Sequence, residues 1–369
     1  MSTMAAARLH EVGGRFQLDH VPVPVATGTD VLVRVRACGV VPNLKNVITS
    51  YPEWFPFLPL PELPAIYGLD PAGEIAAVGP DVIGLKPGQR VYVNPMRPCG
   101  TCHKCRTGKT MACEALAFAG YFGFAPGAGE IYKRYPWGGF AEYMVAPSSS
   151  MVVLPDRVSF EQAARFGYLG TSYGALRRGQ VGPDTVVLVN GATGTLGVGA
   201  ILLALGLGAP KILAVARNRE ILAKLAALDP VRIVTHSTLD GPCTDWALAQ
   251  TGGFGPDVVL DALAPEAPPQ ASLDAMLSVT KMGKIVTIGG MDKDIPVNPI
   301  WLMCNLIDYL GSCWFTTGQA TDMANMIHAG SIRMDELTHR CFPLEKVNDA
   351  LEAAQNRALG GFDNVVVTI

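Results

Sequence analysis

The sequence predicts an α/β protein with two domains, one rich in β-strands and one built on a doubly wound parallel sheet. The chain has 369 residues, which is enough for two domains. An apolar run, a glycine-rich turn and a second apolar run follow one another near its middle. Ser159 and Gln162 have the spacing of a capping box and predict a helix at 159–178 that leads into this unit. After it, strand-like runs at 231–234, 257–261 and 284–288 alternate with helix-length segments, which is typical of a parallel sheet.

The central glycine-rich turn predicts a nucleotide site. Residues 186–189 are apolar on all sides, as in a buried parallel strand, and residues 201–205 continue as an apolar helix. Glycines let the backbone approach a pyrophosphate, which the N–H groups at the helix start then bind. A glycine turn without a ligand is the alternative, because the spacing is not the strict G-x-G-x-x-G. The residues predicted to contact the cofactor here are Gly191, Thr193, Gly194, Thr195, Leu196 and Gly197.

The end of the second predicted strand indicates which nicotinamide cofactor binds. NAD-binding units of this kind place an acidic residue about 20 residues after the glycines, where it holds the ribose 2′-hydroxyl. Here the chain has Ala216 followed by Arg217, Asn218 and Arg219, and two guanidinium groups suit a 2′-phosphate. We therefore predict that the cofactor is NADPH and that Arg217, Asn218 and Arg219 lie at its ribose. The alternative is that both arginines are ordinary solvated side chains.

Four cysteines predict a structural metal site. Residues 1–95 are β-rich, with frequent glycine and proline, and the cluster of Cys99, Cys102, Cys105 and Cys113 follows them. Four thiolates at this spacing fill a tetrahedral shell and leave no position open for water or substrate. The sequence therefore predicts one structural Zn²⁺ per chain, and four buried or redox-labile thiols are the alternative.

Composition and charge argue against several classes of protein. The formal net charge is −3, so no basic surface for nucleic acid or for an acidic membrane is predicted. No apolar run is long enough to span a membrane and no leader peptide is evident, so the expected location is the cytoplasm. The five cysteines outside the cluster are scattered, which suits a reducing compartment better than a disulfide framework.

The order of these features resembles the medium-chain dehydrogenase/reductase superfamily, which includes zinc alcohol dehydrogenases and quinone oxidoreductases. The likeness covers essentially the whole chain. It consists of the β-rich part, the four-cysteine lobe, Gly-Gly-Phe-Ala-Glu-Tyr at 138–143, the nucleotide unit and a C-terminal return. The resemblance implies a GroES-like β-rich catalytic domain (1–168 and 312–369, with the zinc lobe at about 95–115) and a Rossmann domain (169–311). It also implies an active site in the cleft between them and a homodimer formed through Rossmann edge strands near 301–314.

All three catalytic-zinc ligands of the zinc-dependent members are replaced in this chain. The family's G-V-C-x-x-D reads Gly-Val-Val-Pro-Asn-Leu here, so Val41 stands at the first ligand position. G-H-E-x-x-G reads Gly-Leu-Asp-Pro-Ala-Gly, with Leu69 in place of histidine, and a gap-free alignment on 171–176 puts Gly167 at the third position. None of these residues binds zinc, so we predict a member with structural zinc and no catalytic zinc.

Without a Lewis acid, the sequence favours a reaction whose developing charge is spread over several atoms. Hydride transfer from NADPH to a small hydrophobic α,β-unsaturated carbonyl or quinone-like acceptor meets that condition. The candidate catalytic residues are Tyr168, Asn43 and Asp70, which carry polar groups beside the replaced ligand positions, and a structural role is the alternative for each. A metal-independent carbonyl reductase or alcohol dehydrogenase, a non-redox lyase or isomerase, and an NADPH-sensing protein are the other functions left open.

Overall fold

The computed structural model describes residues 2–356 and 360–369. The strands, numbered in chain order, are β1 (Thr3–Leu9), β2 (Gln17–Pro22), β3 (Asp30–Gly39), β4 (Ala65–Ile66), β5 (Asp70–Val78), β6 (Arg90–Val93), β7 (Met96–Arg97), β8 (Ala117–Phe118), β9 (Tyr143–Pro147), β10 (Met151–Val153), β11 (Val186–Asn190), β12 (Lys211–Ala216), β13 (Ile233–Ser237), β14 (Val258–Asp261), β15 (Lys284–Thr287), β16 (Asp308–Gly311), β17 (Thr338–Pro343) and β18 (Asp363–Thr368). The helices are α1 (Leu44–Thr49), α2 (Tyr51–Trp54), α3 (His103–Arg106), α4 (Ala128–Arg134), α5 (Phe160–Ala163), α6 (Phe166–Arg178), α7 (Thr195–Gly206), α8 (Arg219–Leu228), α9 (Thr244–Gln250), α10 (Pro269–Met276), α11 (Pro299–Asn305), α12 (Thr317–His328) and α13 (Val347–Gln355). In the part of the chain so described, every helix is too short or too polar to cross a bilayer.

The Rossmann-like domain is a six-stranded parallel sheet in the order β13-β12-β11-β14-β15-β16. The strand β11 pairs with β12 on one side and β14 on the other, so Val187 lies between Ile212 and Val258. The side chains of β11 point alternately into two buried clusters. One cluster includes residues of α6, α7 and α12, and the other includes residues of α9 and α10. Because helices cover both faces, the central strands can be apolar throughout. The doubly wound parallel sheet predicted from the sequence is confirmed.

The GroES-like domain takes its strands from both ends of the chain. Its main sheet runs β10-β6-β5-β3-β18-β17, with β9 also pairing with β3, and a second sheet has the order β2-β1-β4. Val366 of β18 pairs with Gly39 of β3, so the C-terminal strand completes the N-terminal sheet. The same β3 pairs with β5, and the register puts Gly39 opposite Asp70. The predicted β-rich domain with a C-terminal return is confirmed.

Two helices connect this sheet to the Rossmann-like domain. The predicted capping box begins α5: the Gln162 N–H donates to Ser159 Oγ at 3.1 Å and the Ser159 N–H donates to Gln162 Oε1 at 3.0 Å. The helix α5 ends at Ala163 and α6 begins at Phe166, so the single helix predicted at 159–178 is divided into two helices. The domain limits stay a prediction, and the limit between 168 and 169 falls inside α6, a continuous helix that packs on α7 and α12.

Candidate functional site

The turn between β11 and α7 forms a cradle of backbone groups. Gly191 has a φ of +83°, and a Cβ there would lie 2.9 Å from the Ala262 carbonyl oxygen. A Cβ at Gly197 would lie 2.3 Å from the Gly191 carbonyl oxygen, so only glycine lets the helix come this close to the turn. Gly194 begins the helix without a side-chain cap. The first N–H groups of this 12-residue helix are therefore placed to bind an anion such as a pyrophosphate.

A segment near the C-terminus packs against this cradle. The Gly361 N–H donates to the Thr193 carbonyl oxygen at 2.9 Å, and a Cβ at Gly361 would lie 2.2 Å from the Gly194 carbonyl oxygen. The buried Arg165 guanidinium donates to the carbonyl oxygens of Gly361 and, at 3.0 Å, of Phe362. Local sequence patterns do not reveal the contact between Arg165 and Gly361, because the two lie 196 residues apart and only the Gly-Gly pair marks the segment.

The three residues predicted at the ribose have different environments. The Arg217 side chain is exposed at the end of β12. Asn218 caps α8, since its Oδ1 accepts the Ile221 N–H at 3.1 Å. The two terminal nitrogens of the Arg219 guanidinium donate to the Asp240 carboxylate, at 2.9 and 2.7 Å. Two of the three side chains are therefore occupied within the fold, which leaves Arg217 as the one best placed to reach a 2′-phosphate.

The four predicted cysteines come together. The sulfurs of Cys99, Cys102, Cys105 and Cys113 all lie within 4.8 Å of one another. Tetrahedral Zn–S bonds of about 2.3 Å require sulfurs about 3.8 Å apart, so this cluster fits such an ion after a small contraction. Backbone N–H groups of Cys99 and Ala115 donate to the Cys113 sulfur at 3.2 and 3.4 Å, as is favourable for a thiolate. Within residues 2–356 and 360–369, no second group of three such side chains is close enough to share an ion.

The three replaced ligand positions are packed rather than open. Val41 and Leu69 are 7% and 2% exposed and belong to the same buried cluster. Gly167, at the third position, lies against the side chain of Asp70: a Cβ on this glycine would be 2.2 and 2.4 Å from the two carboxyl oxygens. The space that a third ligand side chain would need is therefore filled by that carboxyl group.

Asp70 is an interior group in this structure. It is 1% exposed, and its Oδ1 accepts a 2.8 Å hydrogen bond from the Tyr92 hydroxyl while the Gly167 backbone N–H also donates to the carboxyl. Burial raises the pKa of Asp70 to about 7, and the two hydrogen bonds oppose that rise. In the sequence Asp70 is a candidate for contact with a substrate; the structure instead buries its carboxyl between Tyr92 and Gly167 of α6.

Asn43 and Tyr168 lie at the surface of the same cluster. The Asn43 Nδ2 donates to the hydroxyl oxygens of Tyr51 at 2.7 Å and Tyr121 at 3.1 Å, and its Oδ1 accepts from Asn46 Nδ2 at 3.0 Å. The amide expected to donate to a substrate therefore donates to two phenols. Tyr168 is half-buried and packs against the cluster, beside the third ligand position. Tyr51 and Tyr121 stand out in the sequence only as members of two aromatic-rich segments, and their hydrogen bonds to Asn43 emerge from the structure.

Six aromatic residues, which we call the aromatic wall, connect this region to the Rossmann-like sheet. Their ring centroids are spaced 4.6–5.3 Å from neighbour to neighbour. Tyr51 and Tyr121 both contact Phe122, and from there the wall continues through Phe124 and Phe118 to Trp314. Trp314 follows β16 at the carboxyl edge of the sheet, where ligands bind in folds of this type, and has a φ of +64°, a strained value for a bulky residue. Phe124 is 42% exposed, so the wall reaches solvent.

Comparison with known proteins identifies both halves of the chain. The family model for the alcohol dehydrogenase GroES-like domain matches residues 27–156, and that for zinc-binding dehydrogenases matches residues 195–329. Together these ranges contain the four-cysteine lobe, the replaced ligand positions Val41 and Leu69, and the helix α7, which begins at Thr195.

Full-length relatives agree with these matches. The chain is 28% identical to an NAD-dependent alcohol dehydrogenase from Sulfurisphaera tokodaii, over 97% of this chain and 98% of the relative. It is 31% identical to the uncharacterized zinc-type alcohol dehydrogenase-like protein YphC from Escherichia coli, over 79% of each. The structure of alcohol dehydrogenase TADH from Thermus sp. ATN1 superposes with a TM-score of 0.81 at 25% identity, over 99% of both chains. The chain therefore belongs to the medium-chain dehydrogenase/reductase superfamily, as an oxidoreductase of the zinc-type alcohol dehydrogenase family.

Proposed function

We propose that the protein transfers a hydride from NADPH to a hydrophobic α,β-unsaturated carbonyl or quinone-like acceptor without a catalytic zinc. The observation that carries this proposal is the packing of the three ligand positions, where Val41 and Leu69 are apolar and the Asp70 carboxyl occupies the space beside Gly167. A bound nicotinamide supplies the hydride. The chain itself then has to stabilise the developing negative charge with hydrogen bonds, and a conjugated acceptor makes this easier by delocalising the charge.

The aromatic wall supports a small hydrophobic substrate. Its rings contact one another edge to face or tilted, and they leave an exposed apolar surface at Phe124. Charged groups take no part in the wall itself. A planar conjugated molecule would gain both apolar burial and ring contacts there, whereas a sugar alcohol would leave its hydroxyls unpaired.

NADPH oxidation with matched substrate pairs tests the proposed reaction. Each conjugated enone or enal is paired with its saturated ketone or aldehyde, and products are identified by mass and NMR. Turnover of the conjugated member alone, with C=C reduction, supports the proposal.

The second candidate is a metal-independent carbonyl reductase or alcohol dehydrogenase. The alcohol dehydrogenase names of the relatives favour it, and turnover of the saturated member would select it. Tight NADPH binding with no turnover of either would favour the non-redox and sensing functions.

Arg217 is expected to determine the preference for NADPH. Because a guanidinium–phosphate hydrogen bond contributes about 1.5–3 kcal/mol, we expect Arg217→Ala to raise the KM for NADPH at least about tenfold and to leave the KM for NADH nearly unchanged. Steady-state kinetics with both cofactors measure this. Arg178→Ala removes an exposed arginine from the end of α6 and serves as the control. A wild-type enzyme that prefers NADH would contradict both the cofactor proposal and the role of Arg217.

We propose a homodimer formed through β16 and α11. The strand β16 is the last in its sheet, and Tyr309 within it and Ile300, Met303 and Leu306 just before it are 45–66% exposed. An apolar helix next to an unpaired edge strand suits pairing with a second copy. We expect light scattering to give a dimer mass for the wild type and a monomer mass for Met303→Glu. The control Ile83→Glu alters a 95% exposed residue in the other domain and should stay dimeric; a monomeric wild type would reject the proposal.

A further inference from the structure

We infer that the hydroxyl groups of Tyr51 and Tyr121 form a pair of hydrogen-bond donors for the carbonyl oxygen of the substrate, held in place by Asn43. This inference rests on the proposed function, because it names the groups that stabilise the acceptor's developing charge. Tyr51 and Tyr121 would be catalytic residues, since they touch the reacting carbonyl. Asn43, which acts through them, would be a positioning residue.

The hydrogen bonds around Asn43 determine where the phenol protons can go. Its Nδ2 carries two N–H groups and donates to both phenol oxygens, so each oxygen is an acceptor in this contact. Asn46 Nδ2 donates to Asn43 Oδ1 at 3.0 Å, and in this arrangement the Asn43 amide nitrogen faces the two phenols. In the described part of the chain, neither phenol has an acceptor for its own proton. Two O–H groups therefore lack an acceptor among the described residues, one on the half-buried Tyr51 and one on the buried Tyr121, and both oxygens accept from one amide nitrogen.

The location of the pair fits the reacting end of a substrate. Asn43 lies two residues after Val41, the first of the replaced ligand positions, so the pair stands beside the place where a metal would act in zinc-dependent relatives. The ring of Tyr121 is 4.6 Å from that of Phe122 within the aromatic wall, which continues to Trp314 at the carboxyl edge of the Rossmann-like sheet. A conjugated molecule along this wall would have its carbonyl at the tyrosines and its other end near the nucleotide-binding domain.

The reaction at this pair of tyrosines needs only the hydride donor, the conjugated acceptor and a proton from solvent. When a hydride adds to the carbon β to the carbonyl, the C=C electron pair shifts and negative charge develops on the carbonyl oxygen. Hydrogen bonds from two O–H groups stabilise that enolate oxygen, and a solvent proton then completes the C–H bond at the α carbon. Burial raises the pKa of both Tyr121 and Tyr51, so each phenol stays protonated and able to donate at neutral pH.

The test uses the full-length enzyme with 4-phenyl-3-buten-2-one as acceptor. Removing one oxyanion donor typically costs about 100-fold in kcat, so we expect about that loss for Tyr51→Phe and for Tyr121→Phe, with an unchanged KM for NADPH. Asn43→Asp should cost as much, because a carboxylate accepts the phenol protons and turns them away from the substrate. The control is Tyr132→Phe, which removes a buried hydroxyl that has no partner among the described residues.

A binding measurement separates this inference from the proposed function. The probe is 4-nitrophenolate, a planar oxyanion whose absorbance shifts on binding, titrated into enzyme saturated with NADP⁺. We expect about a tenfold weaker Kd in each tyrosine variant and in Asn43→Asp, and no change in Tyr132→Phe. Enone turnover by the wild type with unchanged tyrosine variants overturns the inference and leaves the function standing. Probe binding that depends on the tyrosines, without any enone turnover, supports the donor pair and overturns the function.

Discussion

Purified protein is expected to contain one zinc ion per chain, and Cys113→Ser is expected to remove that ion and lower Tm by about 10 °C or more. The lobe has little regular structure of its own, because α3 spans only His103–Arg106, and a helix of one turn does not persist without other contacts. In small zinc domains the binding free energy, on the order of 10 kcal/mol, is coupled directly to folding. Metal analysis and thermal unfolding of the variant measure both effects.

A second cysteine provides the control for this variant. Cys341→Ser changes an exposed cysteine of β17, outside the lobe, and should keep both the ion and the Tm. Residues 118–124 of the aromatic wall follow the lobe directly, so loss of the metal should also lower kcat with an enone. Two or more zinc ions per chain would contradict the proposal that the catalytic-zinc site is absent, and retention of the ion in Cys113→Ser would contradict the four-cysteine site.

Restoring a cysteine at the third ligand position should destabilise the protein rather than rebuild a metal site. In Gly167→Cys, the new Cβ would lie 2.2 and 2.4 Å from the Asp70 carboxyl oxygens, and both residues are buried. Overpacking of this kind costs about 3 kcal/mol, and here the obstacle is a carboxyl held by Tyr92. We expect urea unfolding to show that loss and metal analysis to show an unchanged zinc content.

Two further variants decide whether the contact with Asp70 is the cause. Asp70→Ala removes the obstructing oxygens, so adding it to Gly167→Cys should recover part of the lost stability, and the two changes should be strongly non-additive. Gly129→Ala places a Cβ in open space on α4 and should leave stability unchanged or slightly raised. A Gly167→Cys protein as stable as the wild type, or with a second zinc, would show that the ligand position is open.

Local sequence patterns determined most of the secondary structure, apart from the division of the 159–178 helix into two, and the parts of the site that lie close together in the chain. The glycines before α7, the four cysteines and the capping box at Ser159 each involve residues within about 15 positions of one another, and the structure has all three. Such features depend on backbone conformation or on neighbouring ligands, so their residue types and spacing suffice to predict them. The order of strands and helices likewise predicted the two sheets, because hydrophobic periodicity follows burial.

Only the tertiary structure decided what the individual polar side chains do. Asp70 faces Tyr92 and Gly167, Arg219 binds Asp240, and Asn43 holds Tyr121, 78 residues further along the chain. In the sequence these polar groups are candidates for contact with substrate or cofactor, because a residue type shows the chemistry of a side chain but not its partner. A buried or half-buried polar group is bound by whichever complementary group the fold brings within about 3 Å, and that pairing depends on sheet register and helix packing rather than on neighbouring residues.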